Sequence, residues 1–449
     1  MSRAKFRSAW FATGFSLAAG GLILGPTPEK PVTFSKDIAP IFQEKCQDCH
    51  RPGTAAPMPL ITYEQSRPWA RSIKERVVSR GMPPWHIDQN VGVRHFANDM
   101  SLTPEQIATV VKWVDGGAPQ GDPKDMPPAK TWNDDADWQL AAKLGPPDLV
   151  IKSTPYTMPA KSQDQWWRPL ADVPVTEPRW VRGVEIRPGS VAGRKITHHA
   201  LAHLVQDDPD ASKYSEPVGD GRSPNEAGTL MEWAIGKSYD LYPEGSGKLL
   251  LPGSHIWWDI HYHAVGESIR DHVEIGVWLY PKGQEPRHRT YLTGFQSTSR
   301  TGARLDIPPN SIVMQDGFTV LKAAARLDNF QPHMHLRGKS MSMEAILPTG
   351  EIRMIANVDK FDFNWMTNYI FAPEEAPVLP RGTIIHIKSV YDNTATHKGN
   401  PDPDQWVGWG DRTVDEMGHA WVNVTYLSDE EYKAWTDAHK PAAPDRASR

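Results

Sequence analysis

The only two cysteines of this chain, Cys46 and Cys49, sit in one pentapeptide, Cys46-Gln47-Asp48-Cys49-His50. No disulfide staple is therefore available to the rest of the 449 residues, which must fold around hydrophobic cores alone. A chain of this length exceeds one ordinary core and predicts two to four domains. With 39% hydrophobic and 23% charged residues, the bulk reads as globular rather than disordered. The same pentapeptide has the spacing by which two thioether bonds fix a haem edge while the adjacent histidine is held under the iron. The competing readings are a redox dithiol or half a zinc site. A zinc site needs further ligands nearby, and the next histidine is His86, with no cysteine partner.

An export signal agrees with haem attachment. Arg3, Lys5 and Arg7 form a basic start, and an uncharged apolar stretch follows from Ala9 to Leu24. Residues 1–25 therefore read as a signal peptide, or as an N-terminal membrane anchor if the segment is retained, because no clean small-x-small cleavage site stands out. Either way the remainder is expected to be exported, in the periplasm or on the outer face of the cytoplasmic membrane. A net charge of −5, with both signs interleaved, gives no footprint for nucleic acid.

Residues 31–120 read as a small all-α domain of the c-type cytochrome kind. Asp37 is expected to cap a helix carrying Ile38, Ile41 and Phe42 into the motif. A second helix is predicted over Arg67–Arg80, ending at Gly81. Thr103-Pro104-Glu105-Gln106 is a capping box with proline at the first helical position, and Ile107, Val110, Val111 and Val114 form the apolar stripe behind it. Besides Cys46, Cys49 and His50, a haem iron needs a soft sixth donor. Met82, in the proline-rich Gly81-Met82-Pro83-Pro84-Trp85, is preferred to Met58 because small c-type cytochromes usually present their distal methionine from such a loop.

Residues 121–145 read as a linker, and 431–449 as a tail. Between them the texture changes to short β-type runs, among them Leu149-Val150-Ile151, Trp180–Ile186, His255–His263, Val273–Tyr280 and Thr383–Val390. The 41 prolines and the 18 tryptophans fit many short strands and loops with aromatic cores, although some of the tryptophans could line cofactor surfaces. Three histidine groups lie in this half. His198-His199 can meet one metal only at an irregular or terminal strand position, since strand neighbours point to opposite faces. His261-Tyr262-His263 is the second group, and in the third, His333-Met334-His335, period-2 alternation puts both imidazoles on one face. Imidazole suits zinc, copper and iron alike, whereas a thioether ligand favours Cu(I).

In order along the chain, Thr197-His198-His199, Asp259-Ile260-His261-Tyr262-His263, Pro332-His333-Met334-His335-Leu336-Arg337-Gly338 and Asp415-Glu416-Met417 resemble the copper type II, ascorbate-dependent monooxygenases. That is the family of dopamine beta-hydroxylase and peptidylglycine alpha-hydroxylating monooxygenase. Tyr391-Asp392-Asn393-Thr394 and Asn400-Pro401-Asp402-Pro403 also look like that family. The resemblance covers about Pro147 to Leu427 and implies two all-β jelly-roll-like sandwich domains, 146–290 and 291–430. It implies one copper on His198, His199 and His261 for electron transfer. It implies a second on His333, His335 and Met417, where O2 binds and a C–H bond of a small organic substrate is hydroxylated. His263 is not carried over as a ligand. The positions that grip a peptide carboxylate in the amidating branch are here Gln331 and Trp421, which speaks against a peptidylglycine substrate. The implied partners are O2, the substrate and an external electron donor, an ascorbate-like reductant or a redox protein. The fused haem is expected to relay electrons to the copper sites. The alternatives are a non-catalytic periplasmic electron-transfer or copper-binding protein and a zinc hydrolase. The last lacks an H-E-x-x-H helix.

Overall fold

The computed structural model describes residues 30–52, 54, 56–132, 138–213, 228–237, 239–298 and 304–439. The export segment and the residues beyond 439 lie outside the described residues. Among the described residues no helix is long and apolar enough to cross a membrane.

A helical unit comes first: α1 (Ala39–Lys45), α2 (Ala70–Val78) and α3 (Pro104–Asp115). Thr103 and Gln106 make the reciprocal capping box at the start of α3, and Gly116 ends the helix. Asp37 does not cap α1. It lies inside a π-type turn, Phe34–Ile38, that leads into the helix, and its carboxylate accepts from the Thr33 amide at 2.8 Å. The turn is stabilised from within because Thr33, in extended conformation, precedes it without a side-chain cap of its own. The predicted second helix is shorter than expected, since Arg67–Trp69 form a 3₁₀ turn carrying Pro68 ahead of α2. Phe34, Phe42, Ile73, Val77, Val110 and Trp113 fill the core.

The remainder is mostly β and forms several sheets. In the first β unit, β1 (Arg179–Pro188) pairs with a strand numbered here β5 (Val273–Leu279) in one sheet. The facing sheet holds β2 (Thr197–Val205) between β3 (Gly228–Ala234) and β4 (His255–Tyr262). Ile186, Ala200, Ile256, Trp258 and Val277 meet between the sheets, and Val273–Leu279 is buried along its whole length. The expected runs beginning at Leu149, Trp180, His255, Val273 and Thr383 each coincide with a strand to within a residue or two at the ends.

The second β unit begins with β6 (His288–Gln296). A four-stranded sheet follows in the order β7 (Ile312–Val320), β11 (Ile384–Asp392), β9 (Gly338–Ile346), β10 (Ile352–Val358). Facing it, β12 (Gly418–Leu427) pairs with β6 on one side and with β8 (Asn329–Met334) on the other. Helix α4 (Asp429–Ala438) closes the described chain, so the segment read as a tail starts helical.

Two connections tie the units together. Trp138 and Leu140, at the end of the linker, bury against Trp278, and Glu185 accepts from the Gln139 and Leu140 amides. From Trp85 the chain leaves the helical core: Trp85, Ile87, Val93 and Phe96 belong to the core of the second β unit. Ile87 and Phe96 bridge to Val358 and Phe371, and Trp85 packs edge-on to Tyr369.

Candidate metal centre

His198 and His199 start β2, and the β2–β4 ladder slips there. His261 opposes His199, but Tyr262 opposes Thr197, so His198 is the extra residue of a bulge. The irregularity lets two neighbouring side chains reach one point. His198 Nδ1 and His199 Nδ1 stand 3.2 Å apart. His261, near the end of β4 in the same sheet, brings its ring to 5.2 and 4.9 Å of theirs, centroid to centroid. One nitrogen from each of the three lies within 4.8 Å of the others.

The surroundings of His261 fix which nitrogen is free. Its Nε2–H donates to Asp164 Oδ2 at 3.0 Å, and its ring stacks on Trp166 at 4.7 Å. Its buried Nδ1 has no hydrogen-bond partner. An orphaned buried ring nitrogen, opposite a carboxylate-bonded one, is the arrangement of a metal-ligating histidine with its orienting carboxylate. The three side chains therefore fit a metal ion. Asp164 also accepts from His263 Nδ1 at 2.8 Å, which makes His263 a support for the carboxylate. The hydrogen bond from His261 is the largest of the effects holding Asp164 well below the usual carboxylate range.

His333 and His335 share a face at the end of β8, rings 5.4 Å apart. His335 Nδ1–H donates to the Asp415 carbonyl at 3.1 Å, which leaves Nε2 for a ligand. Met417 follows directly on Asp415-Glu416. The last register pair, Met334 with Gly418, places Met417 opposite His335 one step further along. Its carbonyl accepts from the Tyr391 hydroxyl at 3.0 Å. Two side chains that sequence reading passed over also stand here. The Met366 sulfur is 3.1 Å from His333 Nδ1, and the His419 ring stacks on His333 at 4.5 Å. His419 was recoverable from alternation, since Met417-Gly418-His419 puts it on the Met417 face. Met366, in a loop, carries no such signal.

The two histidine groups adjoin. His199 and His333 are 6.0 Å apart, and Phe363 stacks on His198 at 4.8 Å while lying 6.3 Å from His335. Burial, reinforced by the neighbouring imidazoles, pushes His198 and His419 down to about 3, and burial pushes His335 down to about 4. His199 and His333 lie well below the ordinary range for the same reason. All five are thus neutral near pH 7, the form a metal requires. Phe363 also lines a cavity of about 790 Å³ between the stretch that follows α2 and the second β unit, bounded also by Gly81, Trp85, Leu336 and Phe361.

The motif segments around this site converge on Arg337, which is 1% exposed. Its guanidinium donates to Asn393 Oδ1 (2.7 Å), the Val414 carbonyl (2.9 Å) and the Asp402 carbonyl (3.2 Å). Glu416 accepts from the Arg337 and His335 amides. Gly338 is required beside it, because a Cβ there would stand 2.6 Å from Met334 Cβ.

In the helical unit Cys46 and Cys49 are unpaired thiols, and Cys46 packs on the helical core. His50 Nδ1–H donates to the Met58 carbonyl at 3.0 Å, leaving Nε2 free. This donor set fits a covalently attached haem. The bond also places the Met58 main chain on the His50 side. Met82, half-buried, follows α2, with its amide directed at the Arg76 carbonyl (3.3 Å).

No known family profile and no curated protein matches the chain. Among solved structures, the major capsid protein P2 of bacteriophage PM2 is 9% identical over 63% of this chain and 98% of that one, with a TM-score of 0.28. The infectious bursal disease virus VP2 subviral particle is 11% identical over 63% and 74%, with a TM-score of 0.18. Likeness at this level carries no argument about function.

Proposed function

We propose that this chain is an exported, haem- and copper-dependent monooxygenase that hydroxylates a C–H bond of a small organic molecule, with the haem passing electrons to the copper sites. The observation that carries the reading is the partnerless Nδ1 of His261, whose ring stands beside the His198/His199 pair with its other nitrogen held by Asp164. Copper, when bound, would deliver two electrons to O2 while the substrate C–H bond supplies the other two, so that with two protons one oxygen enters the substrate and the other leaves as water, and haem would pass on single electrons from an external donor.

His198, His199 and His261 would hold the first copper through their ring nitrogens. His333 and His335 hold the second, with Met417 as the thioether donor that favours Cu(I). Asp164 and the Asp415 carbonyl each fix one ring nitrogen, so His261 and His335 present the other without rotating. The two groups touch through His199 and His333, which favours transfer between the sites over a short path. The cavity that Phe363 lines offers room for a substrate within one side chain of both histidine groups. Met82 is the better distal haem donor, because the Met58 main chain is committed to the His50 side.

The test is a reoxidation experiment. The haem is reduced anaerobically, O2 is admitted, and the haem spectrum is followed with and without copper. Copper-dependent reoxidation is expected, and Met417→Ala should abolish O2 uptake while leaving the haem spectrum intact. Reoxidation indifferent to copper contradicts the relay. Unchanged O2 uptake in Met417→Ala favours the simple electron carrier.

A further inference from the structure

Asp164 belongs to no motif, yet it is bonded to both β units. Its Oδ1 accepts from His263 and its Oδ2 from His261, both in the first unit. The same Oδ2 accepts from Thr413 Oγ1 at 2.9 Å, and Thr413 is in the second unit. Thr413 lies in the loop that leads to Met417 and contains Asp415, the residue whose carbonyl fixes His335. Arg168 repeats the crossing: it stands 3.1 Å from Asp259 in the first unit and 3.7 Å from Asp411 in that same loop.

We propose that Asp164 is a positioning residue shared by both histidine sites. It turns His261 so that Nδ1 faces His198 and His199. Through Thr413 it also pins the 411–417 loop, and with it the acceptor for His335 and the Met417 backbone, against the first unit. A carboxylate suits the task because it is acceptor-only and can take three donors at once. An amide in its place has one acceptor oxygen and must lose part of the set. The consequence is that the occupancy of one site and the geometry of the other are coupled through a single side chain. This rests on the metal reading given above.

Two variants separate the arms. Thr413→Val cuts only the crossing bond, and Asp164→Asn disturbs both. The full haem-loaded chain is titrated anaerobically with Cu(I) against a chromophoric chelator, and the Cu(II) forms are examined by electron paramagnetic resonance. Thr413→Val is expected to keep first-site affinity within about twofold, while second-site affinity falls about tenfold and the second-site hyperfine pattern changes. Asp164→Asn is expected to weaken both sites by about 10–100-fold, and Asp164→Glu, which keeps the carboxylate, to recover part of the loss. Circular dichroism checks that each variant is folded. Wild-type affinities and spectra in Thr413→Val overturn the coupling while leaving the metal sites standing. Loss of the first site alone in Asp164→Asn does the same and makes Asp164 a local support. A wild-type chain that takes up no copper removes the underlying reading itself.

Discussion

Arg337 shows how one side chain can hold a site it does not enter. Its guanidinium is buried and its hydrogen bonds gather Asn393, Asp402 and Val414 behind His335. Lysine offers a point charge and cannot span those acceptors. Arg337→Lys should therefore destabilise the protein by about 3 kcal/mol, read as a lower urea midpoint. An unchanged midpoint would mean the loops are held elsewhere. The buried histidines make a second residue-scale prediction. Histidine titrates near 6.5 in the unfolded chain, but burial pushes His198 to about 3 and His335 to about 4. Between those values the unfolded chain binds protons that the native protein does not, so stability falls as the pH drops through that window. The metal-free protein should lose urea resistance between pH 7 and pH 5, and His198→Leu should reduce the loss. A flat profile would contradict the burial of these rings. At this scale the sequence revealed the histidines, through adjacency and alternation, but not their orientation. Asp164 is 97 residues from His261 and Met366 is 33 from His333, so no local pattern announces either.

At the scale of elements, local rules worked where local chemistry decides. Thr103 and Gln106 satisfy orphan donors within one turn, and the capping box they form was readable directly. Thr103→Ala should cost about 1 kcal/mol in thermal or urea unfolding, and a neutral result would show the helix start to be fixed by packing. The Asp37 assignment failed because a carboxylate can accept from a donor four residues back as readily as it can cap the next turn. The irregular start of β2 was required if His198 and His199 were to share a target, and the ladder slips at that point. The stretch from Trp85 to Phe96 was not legible. Its apolar residues follow neither helical nor strand spacing, because they fill gaps in a core supplied by strands some 270 residues later.

For the whole molecule, that stretch ties the helical unit to the second β unit. Trp85 is 7% exposed and touches Phe96 and Tyr369. Trp85→Ala should cost about 3–5 kcal/mol and should separate the unfolding of the helical unit from that of the β units in calorimetry. A single unshifted transition would show that the tie is unimportant. The general architecture, helices first and paired sheets after, followed from texture, whereas the contacts that join the units depend on pairings no single segment encodes. The proposed chemistry depends on His198, His199 and His261 forming one metal cradle beside a second. Elemental analysis of the exported, haem-loaded protein by inductively coupled plasma mass spectrometry tests it most directly. Two copper and one iron per chain are expected in the wild type, falling to one copper in His261→Ala with iron unchanged. Less than one copper in the wild type, or the same copper content in His261→Ala, would contradict it.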